Sequence, residues 1–141
     1  MAKLELSPTE ANYLKQAYRM AERGEQLSVS RLSHVFRVSM PSVVEIVKKL
    51  EAKGLVRRVP WQTIELTSKG WNQAENYIHN HRIIEVFYRN TLGLDTGASC
   101  EEASRIDYLV SNETVARMCA FLNRPTVCLH GHSITHRDER A

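Results

Sequence analysis

The stretch that decides the fold reads VSRLSHVF (29–36), RVS (37–39) and MPSVVEIVKKLEAKG (40–54). Apolar residues recur at helical spacing in the first segment, and the second segment breaks that pattern. Ser39 is placed to cap a second helix, Pro41 lies in its first turn and Gly54 ends it. The core face of that helix is formed by Val43, Ile46, Val47 and Leu50. The stretch therefore predicts a helix-turn-helix.

Two short segments with strand character follow the second helix. They span residues 55–59 and 63–66, and a tight turn of Pro60, Trp61 and Gln62 joins them. Two helices followed by a two-stranded wing are typical of a winged helix-turn-helix, whose second helix enters the major groove of DNA. We therefore expect a mainly α protein, with a winged helix-turn-helix DNA-binding domain over residues 1–70 and an all-helical dimerisation and metal-binding domain over residues 71–141.

The charge distribution supports DNA as a partner. Residues 28–70 contain eight basic and three acidic residues, a net charge of +5, whereas residues 71–141 contain seven basic and nine acidic residues, a net charge of −2. A basic surface on such a motif neutralises phosphates and makes affinity depend on salt. If only one basic pair were present, Lys48–Lys49 or Arg57–Arg58, we would interpret it as an ordinary solvated face. The presence of both pairs beside a helix-turn-helix pattern favours DNA binding.

The contacts expected with DNA divide into two kinds. Ser42 and Glu45 lie near the N-terminal end of the second helix and are expected to face base edges, where Glu45 can accept from a cytosine amino group. Basic side chains are expected to contact phosphates. The complete candidate set is Ser39, Pro41, Ser42, Glu45, Lys48, Lys49, Arg57 and Arg58.

Helices are also predicted on both sides of this motif. Ser7 caps the first helix, and Glu10 completes a capping box. Further helices are expected over residues 68–90, 99–110 and 111–122. The last three carry more apolar residues than short helices can bury internally: Ile83, Ile84, Phe87, Leu109, Val110, Val115, Met118, Phe121 and Leu122. This excess predicts a homodimer, which also suits paired half-sites on DNA; the alternative is a monomer packed on the winged domain.

Composition excludes several functional classes. No apolar run is long enough to cross a membrane and no signal peptide is recognisable, so we expect a cytoplasmic protein without a membrane partner. Three cysteines in a reducing compartment do not form a disulfide framework. An enzyme, for instance a zinc hydrolase, lacks support because no paired carboxylates, nucleophile–base arrangement or phosphate-binding glycine loop is present, and no small-molecule substrate is expected.

Collinear motifs give the chain a family resemblance. They are PTEANYL (8–14), PSV (41–43), LTSKG (66–70), NHR (80–82), LGLD (92–95), EEASR (101–105) and CLHGH (128–132). In this order the chain resembles the diphtheria toxin repressor and manganese transport regulator family of metal-dependent transcriptional regulators. The resemblance covers nearly the whole length and fits the two-domain form that lacks the SH3-like domain.

The resemblance implies a homodimeric regulator, expected to be a repressor of metal uptake or homeostasis genes, that binds a palindromic operator when it holds a divalent metal. The family's principal metal site maps onto Asn12, Ser104, Asp107 and Tyr108, with Lys15 one turn after Asn12. Of these, only Asp107 is a good ligand for a hard cation. We therefore expect the principal site to be degraded or repurposed.

The family's second metal site is better preserved. His81 and Glu85 stand four residues apart on one helical face. Cys100 takes the place of a family histidine, and Cys128, with His130 and His132 beside it, lies in a loop that the family folds near the same site. His81, Glu85, Cys100, Cys128 and, less centrally, Asp107 are the expected ligands. Thiolates beside imidazole and carboxylate suit Fe(II), Zn(II) or a similar borderline metal better than Mn(II) or Mg(II). Of these ions we expect Fe(II) to be favoured over Zn(II) and Mn(II).

Two alternatives remain open at these residues. Cys100, Cys119 and Cys128 could instead hold an iron–sulfur cluster, with a histidine or glutamate as fourth ligand, in a redox- or cluster-sensing regulator of the same fold. Conversely, Cys119 lies among apolar helix residues and suits a core position, and a lone histidine such as His81 is commonly a satisfied polar residue. His79 projects about 200° away from His81, so these two do not form a chelating pair.

Overall fold

The computed structural model describes residues 5–60 and 63–136, and within them six helices and one two-stranded antiparallel sheet. The elements are α1 (Pro8–Glu22), α2 (Val29–Phe36), α3 (Met40–Ala52), β1 (Val56–Val59), β2 (Thr63–Leu66), α4 (Ser68–Leu92), α5 (Thr96–Ile106) and α6 (Asn112–Phe121). The chain divides into a first unit, residues 1–75, and a second unit, residues 76–141. No described helix is long and apolar enough to cross a membrane.

The first unit is the predicted winged helix-turn-helix. Ser7 and Glu10 form the expected capping box at the start of α1. The core is formed by Leu14, Ala17, Val43, Val47, Leu50, Leu55 and Ile64. In the wing, β1 pairs with β2 in the register Val56 to Leu66 and Arg57 to Glu65. The predicted turn residues 61 and 62 lie outside the described residues.

Backbone conformation fixes where the recognition helix α3 begins and ends. Arg37 adopts the left-handed conformation, with φ of 55°, and so reverses the chain after α2. The Ser39 hydroxyl then accepts from the Ser42 amide and caps α3. Gly54, with φ of 75°, ends the helix. Gly70 needs to be glycine for a different reason: an added Cβ would lie 1.8 Å from the carbonyl oxygen of Leu55.

The second unit packs the remainder of α4 with α5, α6 and a C-terminal segment, residues 125–136. Its core comprises Ile83, Ile84, Val86, Ala103, Val115, Cys119, Cys128 and Ile134. Three residues expected at a dimer surface, Ile83, Ile84 and Val115, are thus buried within one chain. Leu109 and Phe121 stay exposed, with 54% and 68% of their surface accessible.

Both boundaries of α5 differ from the sequence prediction. Helix α5 begins at Thr96, three residues before the expected start, because the Asp95 carboxylate accepts from the Ala98 amide at 2.8 Å and caps it. It ends at Ile106, four residues early, because residues 107–110 form a turn. The turn places Asp107 beside α4, where it meets His81.

Candidate metal centre and DNA-binding surface

The N-terminal half of α3 presents an exposed polar face. Pro41, Ser42, Glu45, Lys48 and Lys49 are all exposed, as is Ser39 at the cap. The Ser39 and Ser42 hydroxyls lie 2.8 Å apart, so the cap also fixes the Ser42 side chain. Exposed polar side chains on the first turns of a recognition helix can meet base edges.

The wing arginines are exposed but engaged. Arg57 Nη2 lies 2.7 Å from Glu65 Oε2, its cross-strand neighbour. Arg58 donates to Glu51 of α3 through both its side chain and its backbone amide, which lowers the pKa of the Glu51 carboxyl. Because exposed ion pairs are screened by solvent and contribute little to stability, both arginines can exchange these carboxylates for phosphates.

The second unit brings His81, Glu85 and Cys100 together. One turn of α4 separates His81 from Glu85, and their Nε2 and Oε2 atoms are 3.4 Å apart. Cys100, on α5, places its Sγ 3.5 Å from the same Nε2. All three donor atoms lie within 4.8 Å of one another. The structure thus brings together the three ligands that the sequence placed at the second site.

Glu85 is the most unusual side chain in this group. Its residue exposure is 0%, and neither carboxylate oxygen has a hydrogen-bond partner among the described residues. Burial alone would raise its pKa, but the nearby imidazole of His81, with smaller effects from Cys128 and His130, holds the pKa below its usual value. A buried carboxylate without donors is costly, which makes this position a candidate for a cation.

A second group of donors meets the same carboxylate. Cys128 and His130 lie on the C-terminal segment, and His130 Nδ1 is 3.5 Å from Glu85 Oε2. Burial and the Glu85 charge raise the pKa of the Cys128 thiol, and the amides of His130 and His132 only partly offset this. The sequence prediction had placed Cys128 in one shell with His81 and Cys100; the structure places it in its own group with His130.

Asp107 contacts His81 through the ring nitrogen that faces away from Glu85 and Cys100, and it belongs to neither donor group. Its Oδ2 is 3.1 Å from His81 Nδ1, so the carboxylate can accept from Nδ1–H while Nε2 faces Glu85 and Cys100. A carboxylate on the distal nitrogen of a ligating histidine is a common outer-shell arrangement.

The other residues of the family's principal site belong to neither donor group. The Ser104 hydroxyl donates to the Cys100 carbonyl, and Tyr108 packs edge-on against Tyr77. Asn12 is an exposed residue of α1, in the first unit.

Buried polar contacts anchor the C-terminal segment. Arg82 on α4 donates to the Ser133 carbonyl at 3.1 Å, and its Nη2 is 3.2 Å from His132 Nδ1. His79 donates to the Thr135 carbonyl at 3.0 Å. His136 lies next to Thr135 and donates to the carbonyl of Pro125, at the opposite end of the segment. The Cys119 thiol can donate to the second nitrogen of His136 at 3.5 Å. These contacts fix the segment that carries Cys128 and His130.

The donors present suit a borderline divalent cation. Each group offers one imidazole, one carboxylate and one thiol, a set that Fe(II) and Zn(II) accept and the hardest cations disfavour. The iron–sulfur alternative finds less support, since the groupings found among the described residues separate Cys100 from Cys128 and leave Cys119 in neither.

The sequence does not identify His130 as a candidate metal ligand, nor Arg82 as a residue that holds the C-terminal segment on α4. His130 was visible only as a histidine two residues after Cys128. Nothing in the local sequence indicates that Arg82 contacts residues 50 positions away.

Two family models match consecutive parts of the chain. The model described as iron dependent repressor, N-terminal DNA binding domain, matches residues 5–63. The model described as iron dependent repressor, metal binding and dimerisation domain, matches residues 67–136. The recognition helix and wing fall mainly in the first match, and both donor groups fall in the second.

Individual relatives agree with these models. An uncharacterized HTH-type transcriptional regulator of Methanocaldococcus jannaschii is 28% identical, over 84% of this chain and 96% of the relative. The iron-dependent repressor IdeR of Mycobacterium tuberculosis is 30% identical over 92% of this chain, which spans only 56% of IdeR. The solved structure of the manganese regulator SloR superposes with a TM-score of 0.76 and 35% identity, covering 94% of this chain and 65% of SloR.

Proposed function

The chain belongs to the iron-dependent repressor family of metal-dependent transcriptional regulators, and on that premise we propose that it is a homodimeric regulator whose operator binding requires a divalent cation. The observation that carries this proposal is the buried group of His81, Glu85 and Cys100 in the metal-binding and dimerisation domain. The exposed polar face of α3 supplies the DNA-binding surface.

The DNA-binding role is assigned to α3 and the wing. Ser42 and Glu45 contact base edges, and Ser39 and Pro41 form the end of the helix that enters the groove. Lys48, Lys49, Arg57 and Arg58 contact phosphates and supply the salt-dependent part of the affinity. This assignment uses side chains that are all exposed in the free chain.

The cation-binding role is assigned to the second unit. His81, Glu85 and Cys100 hold the cation, Cys128 with His130 extends the donor set, and Asp107 orients His81 from behind. A bound cation supplies direct bonds to the buried Glu85 carboxylate, whose oxygens have no hydrogen-bond partner among the described residues. The two thiols among the donors favour Fe(II) or Zn(II) over Mn(II). Fe(II) is proposed over Zn(II) because the relative IdeR is described as an iron-dependent repressor, while SloR, another similar protein, is described as a manganese regulator.

Dimerisation is assigned to the apolar surface that the second unit leaves exposed. Phe121 is 68% exposed and its ring packs at a tilt against that of Phe87, while Leu109 is 54% exposed. Large exposed apolar side chains on a small unit indicate an interface. A two-fold dimer would present two recognition helices to two half-sites about one DNA turn, roughly 34 Å, apart.

Coupling of cation and DNA follows from the position of α4 in the chain. This helix begins directly after the wing and carries both His81 and Glu85. Holding these side chains together with Cys100 fixes α4 relative to α5, so cation binding and DNA binding affect each other reciprocally. A coupling of about 1–3 kcal/mol is typical, which is roughly a 5- to 150-fold change in affinity.

Elemental analysis of protein purified without oxygen tests the proposal. We expect Fe(II), or Zn(II) acquired in its place, to copurify with the wild-type chain and to be lost from His81→Ala and Cys100→Ser. Cys119→Ser is the matched control, because this buried thiol lies outside both donor groups. Metal retained in full by His81→Ala and Cys100→Ser would contradict the assignment. A brown protein with sulfide absorbance would favour the cluster alternative.

Light scattering tests the dimer separately. The full-length chain should be dimeric at micromolar concentration, and Phe121→Ser should weaken the dimer without changing the helix content. A monomer both with and without added Fe(II) would contradict the assembly.

A further inference from the structure

Residue 37 joins α2 to α3 in a conformation that arginine rarely adopts. Arg37 follows the last residue of α2 with φ of 55° and ψ of 46°, in the left-handed region. The chain places glycines in that region after α1 and α3, at Gly24 and Gly54. Glycine and asparagine are the usual residues there, because the Cβ of other residues approaches the following carbonyl oxygen. The backbone conformation therefore does not explain why position 37 is an arginine.

Contacts within the fold do not explain it either. The Arg37 side chain is exposed, and it makes no ion pair or hydrogen bond with another described residue. In the same unit, the following arginines pair with glutamates: Arg23, Arg31, Arg57 and Arg58. Lys48 and Lys49, which are assigned to phosphates, resemble Arg37 in having no ion pair among the described residues. The charge of Arg37 is therefore available to an external anion.

The place of Arg37 in the motif indicates which anion it meets. Helix α2 ends at Phe36, and α3 begins at Met40. In a bound helix-turn-helix, the first helix crosses the DNA backbone and the second lies in the major groove, so the turn between them passes the edge of the groove. Phosphates lie along that edge. Arg37 also lines one surface cavity with Ser39, the residue that caps the end of α3 assigned to the groove.

We infer that Arg37 is a positioning residue that binds a DNA phosphate at the edge of the major groove, outside the recognition helix and the wing. This rests on the proposed function, since DNA supplies the anion. A planar guanidinium suits the role, because it can donate two parallel hydrogen bonds to one phosphate. Phosphate contacts set the orientation of a protein on the duplex and carry no base preference. Arg37 therefore fixes how α3 is seated, while Ser42 and Glu45 contact the bases.

Arg37→Asn separates the two effects of this residue, because asparagine suits the left-handed conformation and lacks the charge. The full-length variant loaded with Fe(II) should unfold thermally at or above the wild-type midpoint, yet bind DNA several-fold more weakly. The slope of log affinity against log salt should fall by roughly one for each subunit bound. Fluorescence anisotropy would measure this on an operator selected from random duplexes and on a mixed-sequence duplex of equal length, with the same fold loss on both.

Two further variants separate the charge of Arg37 from other effects. Arg37→Lys keeps the charge and should retain the wild-type salt slope. Arg23→Asn removes an exposed arginine that caps α1 and pairs with Glu25, and it should leave DNA affinity and slope unchanged. An equal fall in slope for Arg23→Asn would overturn the inference, because any lost positive charge in this unit would then suffice.

The remaining outcomes separate this inference from the proposed function. If the wild type binds the operator and Arg37→Asn keeps the salt slope, or weakens binding to the operator alone, Arg37 does not contact a phosphate and the proposed function stands. A lower unfolding midpoint together with weaker binding in Arg37→Asn would give the arginine a structural role and also overturn the inference. If the Fe(II)-loaded wild type binds neither duplex, both fail.

Discussion

The DNA-binding surface and the metal centre use charged residues in opposite ways. Around α3, the charged side chains expected from the sequence to contact DNA come from one short stretch, residues 45–58, and are exposed. Around Glu85, the donors come from positions 81 to 130 and meet in a largely buried place. Exposed charges are solvated and free to contact phosphate, whereas a buried carboxylate without a donor is costly until a cation binds. The comparison predicts large effects of substitutions in the buried region and smaller ones at the surface.

The largest effect is expected at Asp107, which touches no proposed cation. Asp107→Asn removes the carboxylate that holds the hydrogen on His81 Nδ1, so Nε2 is less often free to bind. Loss of such an outer-shell partner typically lowers metal affinity 10- to 100-fold. Competition titration with a chelator would measure this. Glu101→Gln, an exposed carboxylate of α5 paired with Arg105, is the control and should change nothing. Equal losses of metal affinity in Asp107→Asn and Glu101→Gln would show that burial of the carboxylate does not matter for metal binding.

A smaller effect is expected at Glu45 on α3. Glu45→Ala should change the base preferred at one operator position, with a loss of roughly tenfold in discrimination, because a carboxylate at that place accepts from cytosine. Binding to a panel of single-base operator variants measures it, and Glu25→Ala, an exposed carboxylate after α1, is the control. A uniform loss on every variant would show that Glu45 does not contact bases.

The wing arginines should affect salt dependence more than sequence preference. Arg57→Ala removes one phosphate contact, so affinity falls on all sequences alike and the slope of log affinity against log salt falls by roughly one. Because Arg57 is paired with Glu65 in the free chain, the double variant Arg57→Ala with Glu65→Gln should recover part of the affinity. An altered sequence preference with an unchanged slope would reverse the roles given to the wing and α3.

The smallest effect concerns a largely buried ion pair in the first unit. Lys53 Nζ lies 2.7 Å from Glu10 Oε2. Burial raises the pKa of Glu10, but the hydrogen bonds from Lys53 and Ser7 and the charge of Lys53 together lower it by more. The pKa of Glu10 in the folded chain is therefore below the ordinary value. The pair therefore stabilises the fold above the unfolded pKa and loses this contribution as pH falls through the folded pKa.

Lys53→Met should accordingly cost about 1 kcal/mol at neutral pH and flatten the loss of stability that accompanies protonation of Glu10 at acid pH. Denaturant unfolding at several pH values measures both. Arg117→Met, at an exposed pair with Glu113, is the control and should have no such effect. An unchanged pH profile in Lys53→Met would show that the pair does not contribute.

The two regions also differ in how far the sequence predicts them. Local signals sufficed for the winged helix-turn-helix: Ser39 caps α3, Gly54 ends it, and the expected exposed face is exposed. At the metal centre, the spacing of His81 and Glu85 predicted that pair, and the family resemblance supplied Cys100.

Two other features of the metal centre could not be predicted. His130 and Arg82 act across about 45 to 50 residues, and only the path of the C-terminal segment brings them to α4. Asp107 was expected as a ligand, yet it faces the opposite nitrogen of His81, because the turn that follows α5 directs it there. Side-chain direction at a turn depends on tertiary packing and leaves no periodic signal in the sequence.

Metal-dependent operator binding tests the central claim most directly. An operator would first be selected from a pool of random duplexes with the wild-type chain and Fe(II) under anaerobic conditions. Fluorescence anisotropy would then give its affinity with Fe(II) and with a chelator, for the wild type and for His81→Ala. We predict that Fe(II) raises wild-type affinity roughly 5- to 150-fold and leaves His81→Ala at the chelated value. Equal affinities of the wild type with Fe(II) and with chelator, or a full response in His81→Ala, would contradict the account.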